Sequence, residues 1–411
     1  MPRTRRTLTT AVAERLCAAM FAPSEQRIGL ELEWPVHGQD DVTARPKPAE
    51  MSQITRCRLP YGSRVTFEPG GQVELSTTPQ SCVCDAMEAA RADERALRAE
   101  LAALGLAART MAVDDRRPPR RVLDHGRYAA MERFYSAQGK SGMWMMCNSA
   151  STQVNISHDR SDPHERWYTM NLVAPVLIAA FANSPGIGLD GDHWASVRQG
   201  IWWSIDVPRT RPVRTDVTPE RAWLDYALAA DVMFVSDQGR ERAGTAFPPG
   251  TPFGYWMAIG HDVGWPTPDD LRYHLSTLFP PVRPRGWLEI RVLDALPGWV
   301  RDVATLTVAA ASTCRAGREL RSRLPASRRL WKAAARHGLR HPVLHAAARE
   351  LFAVVLDNLG SVSGRSEHAD LVDTYRRSYI EAGRMPGDDL CRGVDLRVHA
   401  AELAGRRAGA A

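Results

Sequence analysis

Four stretches of the chain alternate apolar and polar side chains with a period of two, the repeat of a strand buried on one face. In GLELEW (29–34), Leu30 and Leu32 fall on one side and Glu31 and Glu33 on the other. STQVNIS (151–157) sets Val154 and Ile156 against Gln153 and Asn155, and WLEIRVL (287–293) sets Leu288, Ile290 and Val292 against Glu289 and Arg291. The fourth stretch, TFEPGGQVELS (66–76), reads as a hairpin. A three-residue loop of Pro69, Gly70 and Gly71 opposes Glu68 to Gln72 and Thr66 to Glu74, which puts both carboxylates on one side and Phe67, Val73 and Leu75 on the other. A two-residue Gly-Gly turn would separate the carboxylates.

Between these strands the period changes to that of helices. Leu8, Val12, Leu16, Ala19 and Met20, with acidic Glu14 among them, predict an amphipathic first helix rather than a basic transit segment. Helices are also predicted over 85–104, around RYAAMERFY (127–135), over 164–182 with an interruption at Pro175, and in RAWLDYALAADVMFV (221–235). From Trp299 onward the chain reads as mostly helical and polar. Loops are expected at Pro46–Pro48, DDRRPPRR (114–121), GKSG (139–142) and the proline- and glycine-rich run from Pro248 to Pro266.

Composition narrows the class without naming a function. The 411 residues are 44% hydrophobic and 24% charged, which suits a globular protein of one large domain or two. A net charge of +6, from 53 basic and 47 acidic residues, is spread along the chain and suits an acidic small substrate as well as nucleic acid. Seven cysteines, an odd number, point to a reduced cytoplasmic interior, and Cys82 and Cys84 have no second metal-spaced pair, so they read as packing residues. No apolar run reaches the roughly 18 residues of a membrane span.

The polar strand faces carry the chemistry. As outer faces of antiparallel strands they would simply be solvated, but such faces usually mix both charges, and these hold Glu31, Glu33, Glu68, Glu74 and Glu289 with Arg291 and no lysine. If they converge within one sheet, the carboxylates repel each other and lose hydration unless a cation lies between them, and an all-oxygen set favours Mg²⁺, Mn²⁺ or Ca²⁺ over zinc. Pattern alone leaves both readings open.

The motifs GLELEW, FEPGGQVELS, RYAAMERFYSAQGKSGMWMM, STQVNIS, FANSP, SVRQGIWW, DYAL and HLSTLFPPVRPRGWLEIRVLDA occur in the order found in the plant-type glutamate-cysteine ligase family, which the chain resembles over residues 27–300. Within it the match is nearest the actinobacterial branch that makes γ-glutamylcysteine for ergothioneine. The resemblance implies an α+β, glutamine synthetase-like carboxylate-amine ligase fold, whose curved, mainly antiparallel sheet forms a funnel with helices outside. Residues 1–411 would be a single catalytic domain, with 301–411 its helical C-terminal part. Glu31, Glu33, Glu68, Glu74 and Glu289 match the family's Mg²⁺ ligands, with Mn²⁺ as an alternative metal. Arg291 matches an arginine suited to the ATP γ-phosphate or a substrate carboxylate, Arg198 a position near the glutamate pocket, and Gln153 and Asn155 would give neutral hydrogen bonds or metal contacts. Phe67 and Leu32 depart from the family's usual residues, both on the apolar face.

The implied partners are glutamate, cysteine and ATP in the cytoplasm, with neither nucleic acid nor membrane. The implied reaction activates the γ-carboxylate of glutamate as an acyl phosphate, which the amine of cysteine then displaces. A related ligase using another amine is the alternative. A rival of another class is nucleic-acid binding by the basic run RELRSRLPASRRLWKAAARHGLRH (318–341), which otherwise reads as a solvated helical face. GKS at 139–141 lacks the first glycine of a phosphate loop, Phe134 standing there, and His337, His341 and His345 are split by Pro342 and lack the metalloprotease glutamate. Trp202 and Trp203 read as packing residues, one of them a candidate wall of the cysteine pocket.

Overall fold

The polar-faced strands join one sheet. A computed structural model describes residues 7–235, 247 and 250–399; the basic residues 1–6, Pro248 at the start of the expected 248–266 loop, and the end of the C-terminal part lie outside the described residues. The sheet contains β1 (Ile28–Trp34), β2 (Arg64–Phe67), β3 (Val73–Ser76), β4 (Ser151–Ser157), β5 (Val282–Pro284) and β6 (Trp287–Asp294), in the order β2-β3-β1-β4-β6-β5. Every pairing is antiparallel. Register sets Glu33 opposite Glu74, Glu31 opposite Gln153, and Asn155 opposite Glu289, so the polar residues share a face. On the other face Leu30, Leu32, Phe67, Val73, Leu75, Val154, Ile156, Leu288 and Ile290 are buried.

Three helices cover that apolar face: α2 (Val83–Ala103) packs on β1, α5 (Glu165–Ala180) on β6 and α9 (Gly298–Ala311) on β4. α1 (Thr10–Ala18) buries Ala13 and Cys17, with Val12 and Leu16 half-buried and Ala19 exposed, so its inward stripe is rotated from the one expected. Pro175 does not interrupt α5, because its neighbours in the helix are held by burial from Val173 to Ala180 and can forgo one backbone bond. The GKSG loop is shorter than expected: α4 (Ser141–Asn148) begins within it, and Gly142 lets α4 pass against Tyr135 of α3 (Gly126–Gln138) where a methyl group would stand 2.2 Å from that residue's Cβ. The 248–266 run likewise contains a helix, α8, in Phe253–Ile259, after α6 (Val197–Trp203) and α7 (Pro219–Ala229). After Trp299 the chain is helical as expected, but α9 is a buried, mainly apolar helix rather than a polar one. Cys82 caps α2 through Sγ and Cys84 packs against the core; all seven cysteines are free thiols.

The hairpin has the three-residue loop. Thr66 pairs with Glu74, and the Glu68 N–H donates to the Gln72 carbonyl at 2.8 Å. Gly71 takes φ +88°, a conformation other residues resist. The tip is tied to α4: Gln72 Nε2 donates to the carbonyls of Met146 and Ser149, and Arg45 Nη1 to that of Gly70. A Cβ on Gly70 would lie 2.1 Å from the Cys147 carbonyl oxygen. Gly70→Ala should therefore cost about 1–3 kcal/mol in chemical denaturation, the usual scale of overpacking against backbone, and displace Glu68. Gly360→Ala, whose new methyl meets nothing within 4 Å, should be near neutral. Equal stabilities of the two variants would contradict this docking.

Candidate active site

The polar face of the sheet floors a cleft of about 510 Å³. Glu31, Glu33, Glu68, Glu74, Gln153 and Arg291 line it, and α3, α4 and α6 contribute Tyr128, Met131, Met145, Met146 and Trp202. Neutral donors fix the carboxylates. Gln153 Nε2 and the Ser151 N–H donate to Glu33 at 3.0 and 2.8 Å, Asn155 Nδ2 to Glu31 at 3.0 Å, and Thr66 and Ser76 hydroxyls to Glu74 at 2.9 and 3.1 Å. The structure thus brings Gln153 and Asn155 to the glutamates as hydrogen-bond partners.

The four glutamates are not fully compensated. Burial, then repulsion from Glu289 and Glu74, pushes Glu31 up to about 7 against the pull of Arg291 and Arg283. Burial raises Glu33 despite Arg198 and Arg291, burial and then Glu74 and Glu33 raise Glu68 well above the carboxylate range, and burial with Glu33 raises Glu74. Their common cause is loss of water together with like charge on neighbouring strands.

Glu289 behaves oppositely. Burial alone would raise it, but Arg283 and Arg291 hold it down to about 2. Arg283 Nε donates to Oε2 at 2.5 Å, Arg285 Nη1 to Oε1 at 2.9 Å, and Arg291 Nη1 stands 3.4 Å from Oε2 while donating to Gln153 Oε1 at 2.7 Å. Glu289, expected among the metal carboxylates, has both oxygens accepting from guanidinium groups in this structure and so also anchors these arginines. The expected count of one arginine on these faces is also corrected. Arg283 and Arg285 arrive on β5 and the turn after it, which Pro281 before the strand and Pro284 at its end hid as a strand.

A bulge in β6, where the register against β4 shifts between Ile290 and Leu293, aims Arg291 and releases backbone carbonyls. Arg198 Nη2 donates to the Arg291 carbonyl and Gln199 Nε2 to that of Val292. Arg198 is buried, 3.8 Å from Asp294, yet among the described residues its Nε and Nη1 have no hydrogen-bond partner, and it lines a small cavity with Trp202, Phe279 and Arg291. Neither the bulge nor Asp294, which accepts from Asn183, Ser184 and Ser196, was signalled by the alternation of residues. Trp202 lies 5.9 Å from the Arg291 guanidinium, whereas Trp203 is exposed.

Among the described residues no three His, Cys, Asp or Glu side chains enclose a common ion site. The donor set nevertheless fits Mg²⁺, which is usually held by one or two carboxylates together with waters and substrate phosphates rather than by an all-protein cage. The excess negative charge of Glu31, Glu33, Glu68 and Glu74 is what such a cation relieves. A second cleft of about 460 Å³, lined by Gly29, Thr77 and Asn155, adjoins the first and shares Glu31, Ser76 and Trp287 with it; Asn155 Oδ1 is buried there without a donor among the described residues.

Comparison with known proteins places these features. A family model described as glutamate-cysteine ligase family 2 (GCS2) matches residues 27–404. The chain is 37% identical to glutamate–cysteine ligase EgtA of Mycolicibacterium smegmatis over 413 residues, covering 95% of this chain and 94% of that protein. It is 35% identical to glutamate–cysteine ligase EgtA of Mycobacterium tuberculosis over 382 residues, covering 89% and 85%. The crystal structure of a bifunctional glutathione synthetase from Pasteurella multocida superposes with a TM-score of 0.53 at 14% identity, over 98% of this chain and 55% of that one, a likeness of fold.

The Glu289 anchor gives a stability test. Arg283→Leu leaves a buried carboxylate short of its main partner and should cost about 3–5 kcal/mol in denaturant unfolding; Arg285, half exposed, should cost below about 1 kcal/mol when changed to Leu. The double variant Arg283→Leu/Glu289→Leu should recover most of the loss. A double variant no more stable than Arg283→Leu would show that the two residues do not act as a pair.

Proposed function

This chain belongs to glutamate-cysteine ligase family 2, and from that premise we propose that it joins the γ-carboxylate of L-glutamate to the amine of L-cysteine, converting ATP to ADP and phosphate and releasing γ-glutamylcysteine for ergothioneine biosynthesis in the cytoplasm. Residues 1–411 act in this reading as one catalytic domain, supported by the packing of α9 directly on the sheet. The observation that carries the proposal is the cluster of four undercompensated carboxylates beside an arginine set, at the floor of one cleft.

Glu31, Glu33, Glu68 and Glu74 would hold Mg²⁺, or Mn²⁺ in its place. Bound there, the metal would supply charge neutralisation to the phosphate oxygens of ATP. Arg291, steered by Gln153 and the β6 bulge, offers its remaining N–H groups to the transferring phosphoryl group, whose charge grows on its outer oxygens. Arg198, with two unpartnered nitrogens at a small cavity, is suited to a carboxylate of glutamate and so orients the other carboxylate for attack. That γ-carboxylate oxygen bonds to phosphorus as ADP leaves; the amine of cysteine then bonds to the acyl carbon as phosphate leaves. Glu289 acts through the arginines by keeping their guanidinium groups in place.

The basic run at 318–341 supports a structural role better than nucleic-acid binding, since Arg321 pairs with Glu165, Arg323 with Glu319 and Glu350, Arg336 with Asp192 and Arg340 with Asp388. His337 ends α11 (Trp331–His337), His341 caps α12 (Pro342–Asn358) and His345 lies within it, so the three share no helix face.

Glutamate labelled with ¹⁸O in the γ-carboxylate should pass label to the released phosphate, and α-carboxylate label should not. Glu33→Gln should lower turnover by about 10²–10³, the scale of losing one preorganised electrostatic group, and Arg291→Lys should lower the rate with little change in melting temperature. AMP and pyrophosphate as products, or unlabelled phosphate, would contradict the mechanism. An amine that reacts far faster than cysteine would keep the ligase and replace the acceptor.

A further inference from the structure

A cleft of about 630 Å³ lies on another part of the molecule, between α5, the segment Pro212–Asp216 and the turn from α10 (Cys314–Arg323) to α11, and shares no lining residue with the funnel. Its charge is strongly positive: Arg214, Arg321, Arg328 and Arg329 line it against one acid, Asp216. Arg214 is bound by Asp216 and Arg321 by Glu165, while Arg328 and Arg329 are exposed and their side chains form no hydrogen bond or ion pair among the described residues. Tyr168, Leu172 and Trp331 give the cleft an apolar wall.

The floor holds an independent feature. Asn171 is 4% exposed, its Nδ2 donates to the Trp167 carbonyl at 3.0 Å, and its Oδ1 meets no donor among the described residues. The same residue's backbone carbonyl loses its regular helical donor, because Pro175 four residues on has no N–H. An otherwise apolar helix thus carries a buried side-chain acceptor with no donor among the described residues, in a cleft that Arg328 and Arg329 also line. A buried acceptor without a donor is costly, and a ligand that supplies one recovers that cost.

We propose that this cleft binds a small amino-acid-like anion, with its carboxylates on Arg328 and Arg329, an N–H directed to Asn171 and its aliphatic part against Tyr168 and Trp331. The segment that supplies Pro212–Asp216 also supplies Thr210 to the cavity beside Arg198, so an occupant contacts chain adjoining the glutamate-binding arginine proposed above.

Calorimetric titration of the full chain with N-acetyl-L-glutamate tests the site, with glutarate, which has no N–H, and inorganic phosphate as companion probes. N-acetyl-L-glutamate should bind saturably and about tenfold more weakly to Arg328→Ala/Arg329→Ala, the loss of charge-assisted bonds. Ligase turnover should be unchanged in that variant. Glutarate should bind more weakly than N-acetyl-L-glutamate to the unmodified chain, and Asn171→Leu should remove that difference. Absence of saturable binding, binding unaffected by the double arginine change, or phosphate or glutarate binding as tightly as N-acetyl-L-glutamate would overturn the proposal.

Discussion

The structure depends on holding like charges together away from water. Glu31 and Glu33 on β1, Glu74 on β3 and Glu68 at the hairpin tip project onto one face, and each is pushed toward protonation by that placement. No strand pairing can relieve this, because the same register that buries Leu30, Leu32 and Leu75 puts the carboxylates side by side. The apolar core and the charged floor are two faces of the same sheet, so the stability of one sustains the strain of the other.

The surrounding parts meet that constraint with rigidity. Glu68 sits at a hairpin tip held by Gln72, Arg45 and the close approach of Gly70 to α4. Arg291 is aimed by a bulge whose freed carbonyls are taken by Arg198 and Gln199, and Glu289 gathers three arginines on the same face toward the other edge of the sheet. The face therefore divides into an acidic part that wants a cation and a basic part that wants an anion. A metal-bound polyphosphate supplies both, which is why the proposed function follows from charge layout as well as from family membership.

Much of this was legible in the sequence, because a period of two assigns faces without knowledge of pairing. The four alternating stretches, the hairpin loop and the shared face of Glu31, Glu33, Glu68, Glu74, Gln153, Asn155, Glu289 and Arg291 are found as read. What escaped depends on contacts between distant segments. Arg283 and Arg285 lie among prolines that mask a short edge strand, the bulge at Arg291 leaves no compositional mark, and the Glu289 carboxylate could be recognised as an anchor only after those arginines were seen around it. The helix of Ser141–Asn148 begins among residues that read locally as a loop, and α5 passes through Pro175 because tertiary burial outweighs one missing bond.

On the proposed function, the acidic cluster destabilises the fold by itself and is stabilised when metal-bound nucleotide fills the cleft. Chemical denaturation of the protein and of Glu31→Gln/Glu33→Gln, each with EDTA and then with Mg²⁺ and a non-hydrolysable ATP analogue, tests it most directly. The double variant should be the more stable protein in EDTA, because removing like charge relieves repulsion and desolvation, and should gain little from Mg²⁺ and nucleotide, whereas the unmodified protein gains strongly. A double variant that is less stable in EDTA, or that is stabilised by Mg²⁺ and nucleotide as much as the unmodified protein, would contradict this role of the glutamates.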